Sequence, residues 1–169
     1  ACLVGSEMCI RDSTHGLWNL MRHPELWRTW QAAVLAGDRA MTDTAVEEIL
    51  RTSSVTMHFR RTATRDATLG GRSIAAGDKV VIWYNSANHD EAGFEHPFRF
   101  DLARADNDHM AFGRNGPHLC LGAWLARMEL RLVFEELMKR VDRLEPDGDV
   151  AYLRSNFIAG IKHLPVRVV

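Results

Sequence analysis

The stretch FGRNGPHLCLG, residues 112–122, places a lone cysteine behind a loop rich in glycine, at the start of an apolar helical pattern. A helix N-terminus favours the thiolate form of cysteine, because the helix dipole and the free backbone N–H groups stabilise negative charge. Glycines in the loop let backbone amides approach the sulfur closely. Cys120 is therefore a candidate reactive or metal-ligating residue, although a buried free cysteine is also a common core residue.

Two kinds of chemistry are open to Cys120. As a nucleophile it needs a base, and His118 lies two residues away, but no neighbouring residue supplies a third group to orient it. As a metal ligand, a single thiolate needs further ligands, which a porphyrin supplies. The remaining cysteines, Cys2 and Cys9, form no C-x-x-C spacing, which argues against a disulfide framework and a structural zinc site.

The composition is that of an ordinary globular protein. The chain has 169 residues and a formal net charge of −1, so it offers no basic field for nucleic acid. No apolar run reaches the length of a membrane span. The cysteine usage indicates a reducing compartment, and we expect a cytoplasmic protein.

Hydrophobic periodicity predicts a mainly α-helical chain with small β-sheets, of the α+β class. Helical patterns run from Thr14 onward, with Pro24 in the first turn of a second helix, and through TDTAVEEILR at 42–51. In the latter, Thr44 and Glu47 have the spacing of a capping box. From Leu121 a long helix follows that is apolar over most of its circumference, which predicts burial on most sides.

Strand-like and irregular segments lie between these helices. VTMHFRRTAT at 55–64 and KVVIWY at 79–84 are rich in branched and aromatic residues, with a glycine-containing turn region between them. The polar segment at 89–113 is broken by Pro97 and is too long for a passive connection, so we expect it to be packed. The tail is predicted to form short strands around Gly160.

The motif around Cys120 closely resembles the haem-binding signature of the cytochrome P450 family. The matching positions are Phe112, Gly116, His118, Cys120 and Gly122. Three residues separate the phenylalanine from the glycine where the usual signature has two. This longer loop is similar to that of bacterial members that oxidise sterols or terpenes.

Two further motifs extend the resemblance over residues 14–169. Glu48 and Arg51 are similar to the family's E-x-x-R ion pair, whose spacing places both side chains on one helix face. Arg99, in HPFRF, resembles the third partner of that pair. The resemblance implies the C-terminal portion of the cytochrome P450 fold, because family members are more than twice this long.

The resemblance also implies roles for individual residues. Cys120 would be the thiolate ligand of haem b (iron protoporphyrin IX), held by amides of the glycine-containing loop, with Phe112 shielding the sulfur from water. His118 and Arg61 would pair with the haem propionates, and the adjacent Arg60 could exchange roles with Arg61. His58 is interpreted as a pocket-wall or surface residue. The substrate pocket is expected to include two apolar stretches: Val55, Thr56 and Met57, and Asn156, Phe157 and Ile158.

The implied activity is that of a monooxygenase. It would insert one oxygen atom from O2 into a small apolar organic substrate that resembles a sterol, terpene or fatty acid. Electrons would come from a ferredoxin and its reductase, docked near the Cys120 loop, with Arg114 as a candidate contact. The alternatives are a haem-thiolate protein that is not an oxygenase and a truncated fragment without activity. A thiol hydrolase using Cys120 and His118 is a more remote alternative.

Residues 1–13, ACLVGSEMCIRDS, break the helical periodicity and resemble a translated sequencing adaptor, so we interpret them as non-native. The family's proton-delivering positions on the distal helix would fall on Gly5, Glu7 and Met8. A methionine side chain cannot relay a proton.

Overall fold

A computed structural model describes residues 3–114 and 116–169, with side chains from Ile10 onward. These residues form five helices and eight short strands, which confirms the α+β class. The helices are α1 Leu3–Arg22, α2 Pro24–Leu35, α3 Arg39–Ser53, α4 Tyr84–Asn88 and α5 Ala123–Arg140. The strands are β1 His58–Thr62, β2 Ala67–Leu69, β3 Arg72–Ile74, β4 Lys79–Trp83, β5 Leu144–Pro146, β6 Ala151–Tyr152, β7 Ile161–His163 and β8 Val166–Val168.

The core lies where α1, α2, α3 and α5 pack against one another. Trp30 of α2 is fully buried, stacks on Phe134 with ring centroids 5.0 Å apart, and donates its indole N–H to Thr42 Oγ1 at 3.1 Å. Gly16 of α1 permits the close crossing of these helices. A Cβ atom there would lie 2.8 Å from Ile49 Cδ1 and 2.9 Å from Phe134 Cζ, so a larger residue does not fit.

Helix α3 begins earlier than the predicted capping box, and that prediction is wrong. The N-cap is Asp38, whose carboxylate accepts the N–H of Met41 at 3.2 Å. Thr44 lies inside the helix, and its hydroxyl donates to the carbonyl of Met41 at 3.0 Å. The residues before Thr44 are good helix formers and are capped by Asp38, so the helix begins upstream of Thr44. The side chain of Glu47 is therefore not used for capping and can make other contacts.

Every sheet among the described residues is a two-stranded antiparallel pair. β1 and β4 lie in the two segments predicted to be strands, and they pair with each other, with His58 opposite Trp83 and Thr62 opposite Lys79. The turn region between them is itself a hairpin of β2 and β3, closed by Gly70 and Gly71 with φ of 55° and 77°. These two strands were not predicted, because they are short and almost wholly exposed, so they show no alternation of apolar residues. The tail pairs β5 with β8 and β6 with β7, and the strands flank Gly160 as predicted.

Helix α5 is covered on one side only, which corrects the expectation that most of its circumference is buried. Ala126, Leu130 and Phe134 are buried against the other long helices. On the other side, Trp124 is 82% exposed and Leu132 is 53% exposed. The sequence pattern marks both sides as apolar, but α1, α2 and α3 supply cover for only one of them.

Helix α1 continues through residue 13 without a break. The positions Gly5, Glu7 and Met8 precede Ile10, so their side chains lie outside the described residues. Within the described part of the chain, no helix combines the length and the apolar character that a membrane span requires.

Candidate functional site

The loop before α5 folds back so that Phe112 and Cys120 become neighbours. The backbone N–H of Cys120 donates to the carbonyl of Phe112 at 3.0 Å, and the N–H of Gly113 donates to the carbonyl of Met110 at 2.9 Å. Gly113 has a φ of 74°, in the left-handed region that glycine adopts without strain. The chain reversal that positions Cys120 therefore depends on this glycine and on one backbone hydrogen bond.

Cys120 is a half-buried free thiol just before the first turn of α5, as predicted. Its carbonyl accepts the N–H of Ala123 at 3.2 Å, and Gly122 is the N-cap of the helix. A Cβ atom on Gly122 would lie in ordinary van der Waals contact with Cys120 Sγ, at 3.9 Å. Gly122 is thus directly adjacent to the sulfur.

The donor set around the sulfur fits a metal whose other ligands come from outside the protein chain. Among the residues that the structure describes, no group of three His, Cys, Asp or Glu side chains could hold a metal ion. His118 is exposed, and Leu119 and Leu121 are 55% and 99% exposed, so the surface beside Cys120 is open and largely apolar. A lone thiolate on such a surface fits an iron porphyrin, which brings its own four nitrogen ligands.

Glu48 and Arg51 form the predicted ion pair, and both side chains are completely buried. The guanidinium and the carboxylate meet as a fork, with Nε–Oε2 and Nη2–Oε1 both at 2.8 Å. Arg51 also donates to three backbone carbonyls of the segment after β4. These are Asn88 at 2.7 Å, Pro97 at 2.8 Å and Arg99 at 3.2 Å.

The third charged partner of this ion pair is Arg104, and the prediction that Arg99 fills this place is wrong. Arg104 Nε donates to Glu48 Oε2 at 3.1 Å, and its side chain is only 9% exposed. The guanidinium of Arg99 is 69% exposed and lies 3.9 Å from Asp101, while only its backbone carbonyl joins the cluster. The segment has no regular helix or strand here, so residue spacing could not decide which arginine turns inward.

A second charged cluster, which the sequence analysis did not predict, is centred on Glu47, the residue directly before Glu48. Arg127 of α5 binds the Glu47 carboxylate through Nε at 2.6 Å and Nη2 at 2.8 Å, and His109 Nε2 lies 2.9 Å from Oε2. Burial raises the pKa of Glu47, but hydrogen bonds from His109 and Arg127 and the positive charge of Arg127 outweigh it and lower that pKa to about 2. The sequence did show two adjacent glutamates on one helix, but it could not show that Glu47 has partners, because these lie more than 60 residues further along the chain.

The predicted propionate ligands lie on exposed surfaces. Arg61 shares a face of β1 with Phe59, and its guanidinium carbon lies 5.9 Å from that ring. Its Nη1 donates to the carbonyl of Arg60 at 3.1 Å. The haem contacts of Arg61, Arg60 and His118 stay predictions.

The two stretches predicted to line a substrate pocket lie side by side. Thr56 and Ile158 form an antiparallel bridge, and the N–H of Met57 donates to the carbonyl of Phe157 at 2.9 Å. Val55 and Thr56 are buried, whereas Phe157 is 39% exposed.

An aromatic cluster extends from this bridge onto β1. The ring centroids of Phe157 and Phe59 are 5.6 Å apart, and His58 packs edge-on against Trp83 at 4.6 Å. His58 Nε2 also lies 3.0 Å from the carbonyl of Asn156. His58 therefore contributes to a half-buried aromatic wall, in agreement with its interpretation as a pocket-wall or surface residue.

Comparison with known proteins identifies the class. The cytochrome P450 family model matches residues 13–153, and the chain belongs to this family. It is 45% identical over 164 residues to the methyl-branched lipid omega-hydroxylase of Mycobacterium tuberculosis, covering 97% of this chain and 37% of that protein. It is 42% identical over 168 residues to linalool 8-monooxygenase of Pseudomonas putida, covering 99% of this chain and 40% of that protein. The chain thus spans about two fifths of the length of these relatives.

Solved structures agree in fold. A cytochrome P450 of Mycobacterium marinum in complex with pseudoionone is 43% identical, with a TM-score of 0.84 over 92% of this chain and 36% of that chain. A Bacillus megaterium cytochrome P450 in complex with corticosterone is 32% identical, with a TM-score of 0.89 over 98% of this chain and 44% of that chain.

Proposed function

We propose that the complete protein is a haem-thiolate monooxygenase that inserts one oxygen atom from O2 into a small apolar organic substrate. The observation that carries the proposal is the lone, half-buried thiol of Cys120 at the start of α5, in a loop closed by the Phe112 carbonyl. When bound there, haem b would supply the iron chemistry that activates O2, with the Cys120 thiolate as its axial ligand.

The residues of this chain would hold and tune that group. Amides of the loop would lower the electron density on the sulfur, and Phe112 would limit access of water to it. His118 and Arg61 would bind the propionates, because each can donate hydrogen bonds to a carboxylate.

The substrate is proposed to be a lipid-, terpene- or steroid-like molecule. The names of the relatives support this class, since they act on methyl-branched lipids, linalool and, in Rhodococcus jostii, steroids. The half-buried aromatic wall formed by Phe157, Phe59 and His58 offers an apolar contact surface of the kind such molecules need.

We propose a ferredoxin with its reductase as electron donor and a cytoplasmic location. Arg114 is a candidate contact for the donor on the surface next to the Cys120 loop, where it pairs with Asp108 and stays 47% exposed. Residues 1–13 are proposed to be non-native, so the proton-delivering residues of the native distal helix would differ from Glu7 and Met8.

The test is haem uptake by the 169-residue chain. Produced with haem, it should give the reduced carbon monoxide spectrum of a thiolate-ligated iron, and Cys120→Ser should abolish that spectrum. His118→Gln serves as a matched control in the same loop, because it should weaken haem retention while leaving the thiolate band in place. A thiolate band that persists in Cys120→Ser would refute the assignment.

The alternative of a fragment that has no activity alone is favoured by the exposed apolar side of α5 and by the share of the relatives that the chain spans. The same experiment separates the two proposals. A folded chain that takes up no haem would favour the fragment.

A further inference from the structure

We infer that Glu47, His109 and Arg127 form a positioning cluster that fixes the Cys120 loop against α3 and α5. None of the three side chains is in the sequence motif around Cys120. The inference concerns the loop itself, and its effect on bound haem rests on the proposed function.

The cluster joins three separate parts of the fold. Glu47 lies on α3, Arg127 lies on α5 seven residues after Cys120, and His109 lies in the irregular segment that leads into the loop. Arg127 presents two N–H groups to the two carboxylate oxygens of Glu47, a geometry that fixes both side chains in one orientation.

Phe112 transmits this arrangement to the cysteine. The guanidinium carbon of Arg127 lies 4.9 Å from the centroid of the Phe112 ring, and the ring of His109 lies 6.3 Å from it. The carbonyl of the same phenylalanine accepts the N–H of Cys120 at 3.0 Å. The ring of Phe112 is thus held by the cluster while its backbone holds the thiol-bearing residue.

His109 holds the loop entrance through both ring nitrogens. Its Nδ1 accepts the backbone N–H of Ala111 at 3.2 Å, and a backbone N–H can only donate. Nε2 therefore carries the proton that is donated to Glu47 at 2.9 Å. His109 links the backbone just before Phe112 directly to α3.

The degree of burial distinguishes this cluster from the Glu48 ion pair. Glu48 and Arg51 are completely buried, whereas the side chains of Glu47 and Arg127 are 29% and 27% exposed. Glu47→Gln removes the charge but keeps an oxygen that can still accept a hydrogen bond from His109, whose side chain is 3% exposed, while Arg127 keeps access to water. The chain should therefore keep its fold while the loop loosens. Glu47 is therefore a positioning residue, because its loss should loosen the loop without unfolding the chain.

The test uses Glu47→Gln in the 169-residue chain and measures hydrogen–deuterium exchange of the peptide that contains Cys120. The N–H of Cys120 should exchange about tenfold faster, the factor that corresponds to the loss of one modest interaction. Glu136→Gln is the matched control, since Glu136 also accepts hydrogen bonds from an arginine, Arg140, but on the exposed side of α5. It should leave the exchange of Cys120 unchanged.

Arg127→Lys provides a second variant. Lysine keeps the positive charge but loses the fork and the planar group over Phe112, so the Cys120 amide should exchange at a rate between those of the original chain and Glu47→Gln. The inference is wrong if both variants exchange at the original rate, or if Glu136→Gln accelerates the amide as much as Glu47→Gln does.

A spectroscopic measurement separates this inference from the proposed function. In haem-loaded protein, Glu47→Gln should move part of the reduced carbon monoxide band from the thiolate position to that of a lost thiolate, whereas Glu136→Gln should not. Faster Cys120 exchange in a chain that takes up no haem would support the cluster and favour the alternative of a fragment without activity. The opposite result would be a normal thiolate band in the original chain together with a Glu47→Gln variant whose Cys120 exchange and carbon monoxide spectrum are both unchanged. That result would support the function and refute the cluster.

Discussion

Replacing Asp12 with asparagine should make the stability of the 169-residue chain less dependent on pH. Asp12 lies in the segment proposed to be non-native, so the prediction concerns this chain. Asp12 lies on α1, is 3% exposed, and accepts a hydrogen bond from the hydroxyl of Ser53 on α3. Burial raises the pKa of Asp12 from 3.8 to about 7, and the Ser53 hydrogen bond only partly opposes this effect. The ionised carboxylate is therefore unfavourable in the folded state.

The raised pKa of Asp12 determines in which direction, and by how much, the free energy of unfolding changes with pH. Below the unfolded pKa of 3.8, Asp12 is protonated in both states and has no effect on stability. As the pH rises toward 7, the unfolded chain releases the proton while the folded chain retains it, so the free energy of unfolding falls. The folded and unfolded pKa values of Asp12 differ by about three, which corresponds to about 4 kcal/mol in the free energy of unfolding. This is a large fraction of the ~5–15 kcal/mol that stabilises a typical domain.

The assay is urea denaturation of the original chain and of Asp12→Asn at pH 5 and pH 8. The free energy of unfolding of the variant should exceed that of the original chain by about 2–3 kcal/mol more at pH 8 than at pH 5, because the unfolded carboxyl is already ionised at pH 5 and part of the ~4 kcal/mol is lost there. The exposed Asp149→Asn is the matched control, and its difference from the original chain should be the same at both pH values. An equal effect of Asp12→Asn at both pH values would refute the reasoning about burial.

Three further perturbations test the packing. Arg51→Ala should lower the free energy of unfolding by about 3–5 kcal/mol in denaturant titrations, because it removes a buried charge partner, whereas Arg99→Ala should change it by less than about 0.5 kcal/mol. Equal effects of the two would contradict the conclusion that the side chain of Arg51, and not that of Arg99, belongs to the buried cluster around Glu48. Gly16→Val should lower the melting temperature through overpacking worth about 1–3 kcal/mol, and an unchanged melting temperature would show that the helices can separate there. Replacing Trp124 and Leu132 together with glutamine should raise the concentration at which the chain aggregates, measured by light scattering, with little change in stability.

Local motifs are the part of the site that the sequence could predict. The glycine, histidine and cysteine positions of the Cys120 loop depend on short-range spacing, and so does the i,i+3 pair of Glu48 and Arg51. The helix that follows Cys120 and the strand character of β1 and β4 were predictable for the same reason. Each depends on residues close together in the chain or on a strong local hydrophobic pattern.

The path of residues 89–113 is the part that the sequence could not predict. This segment follows neither a helical nor a strand period, so no rule indicates that Arg104 turns inward while Arg99 faces water. The bond between Glu47 and Arg127 joins residues 80 positions apart and required the packed arrangement of two helices. The exposure of one side of α5 could not be predicted for a similar reason, because an apolar pattern does not indicate whether a neighbouring element covers it.

The adjacent glutamates on α3 determine where the irregular segment lies in the folded protein. Glu48 accepts hydrogen bonds from Arg104, Asn107 and the N–H of Asp101, and Glu47 accepts one from His109. One turn of a single helix therefore fixes several points of a segment that has no regular helix or strand of its own. A substitution that disrupts this turn should displace the cysteine-bearing loop even though the loop's own sequence is unchanged.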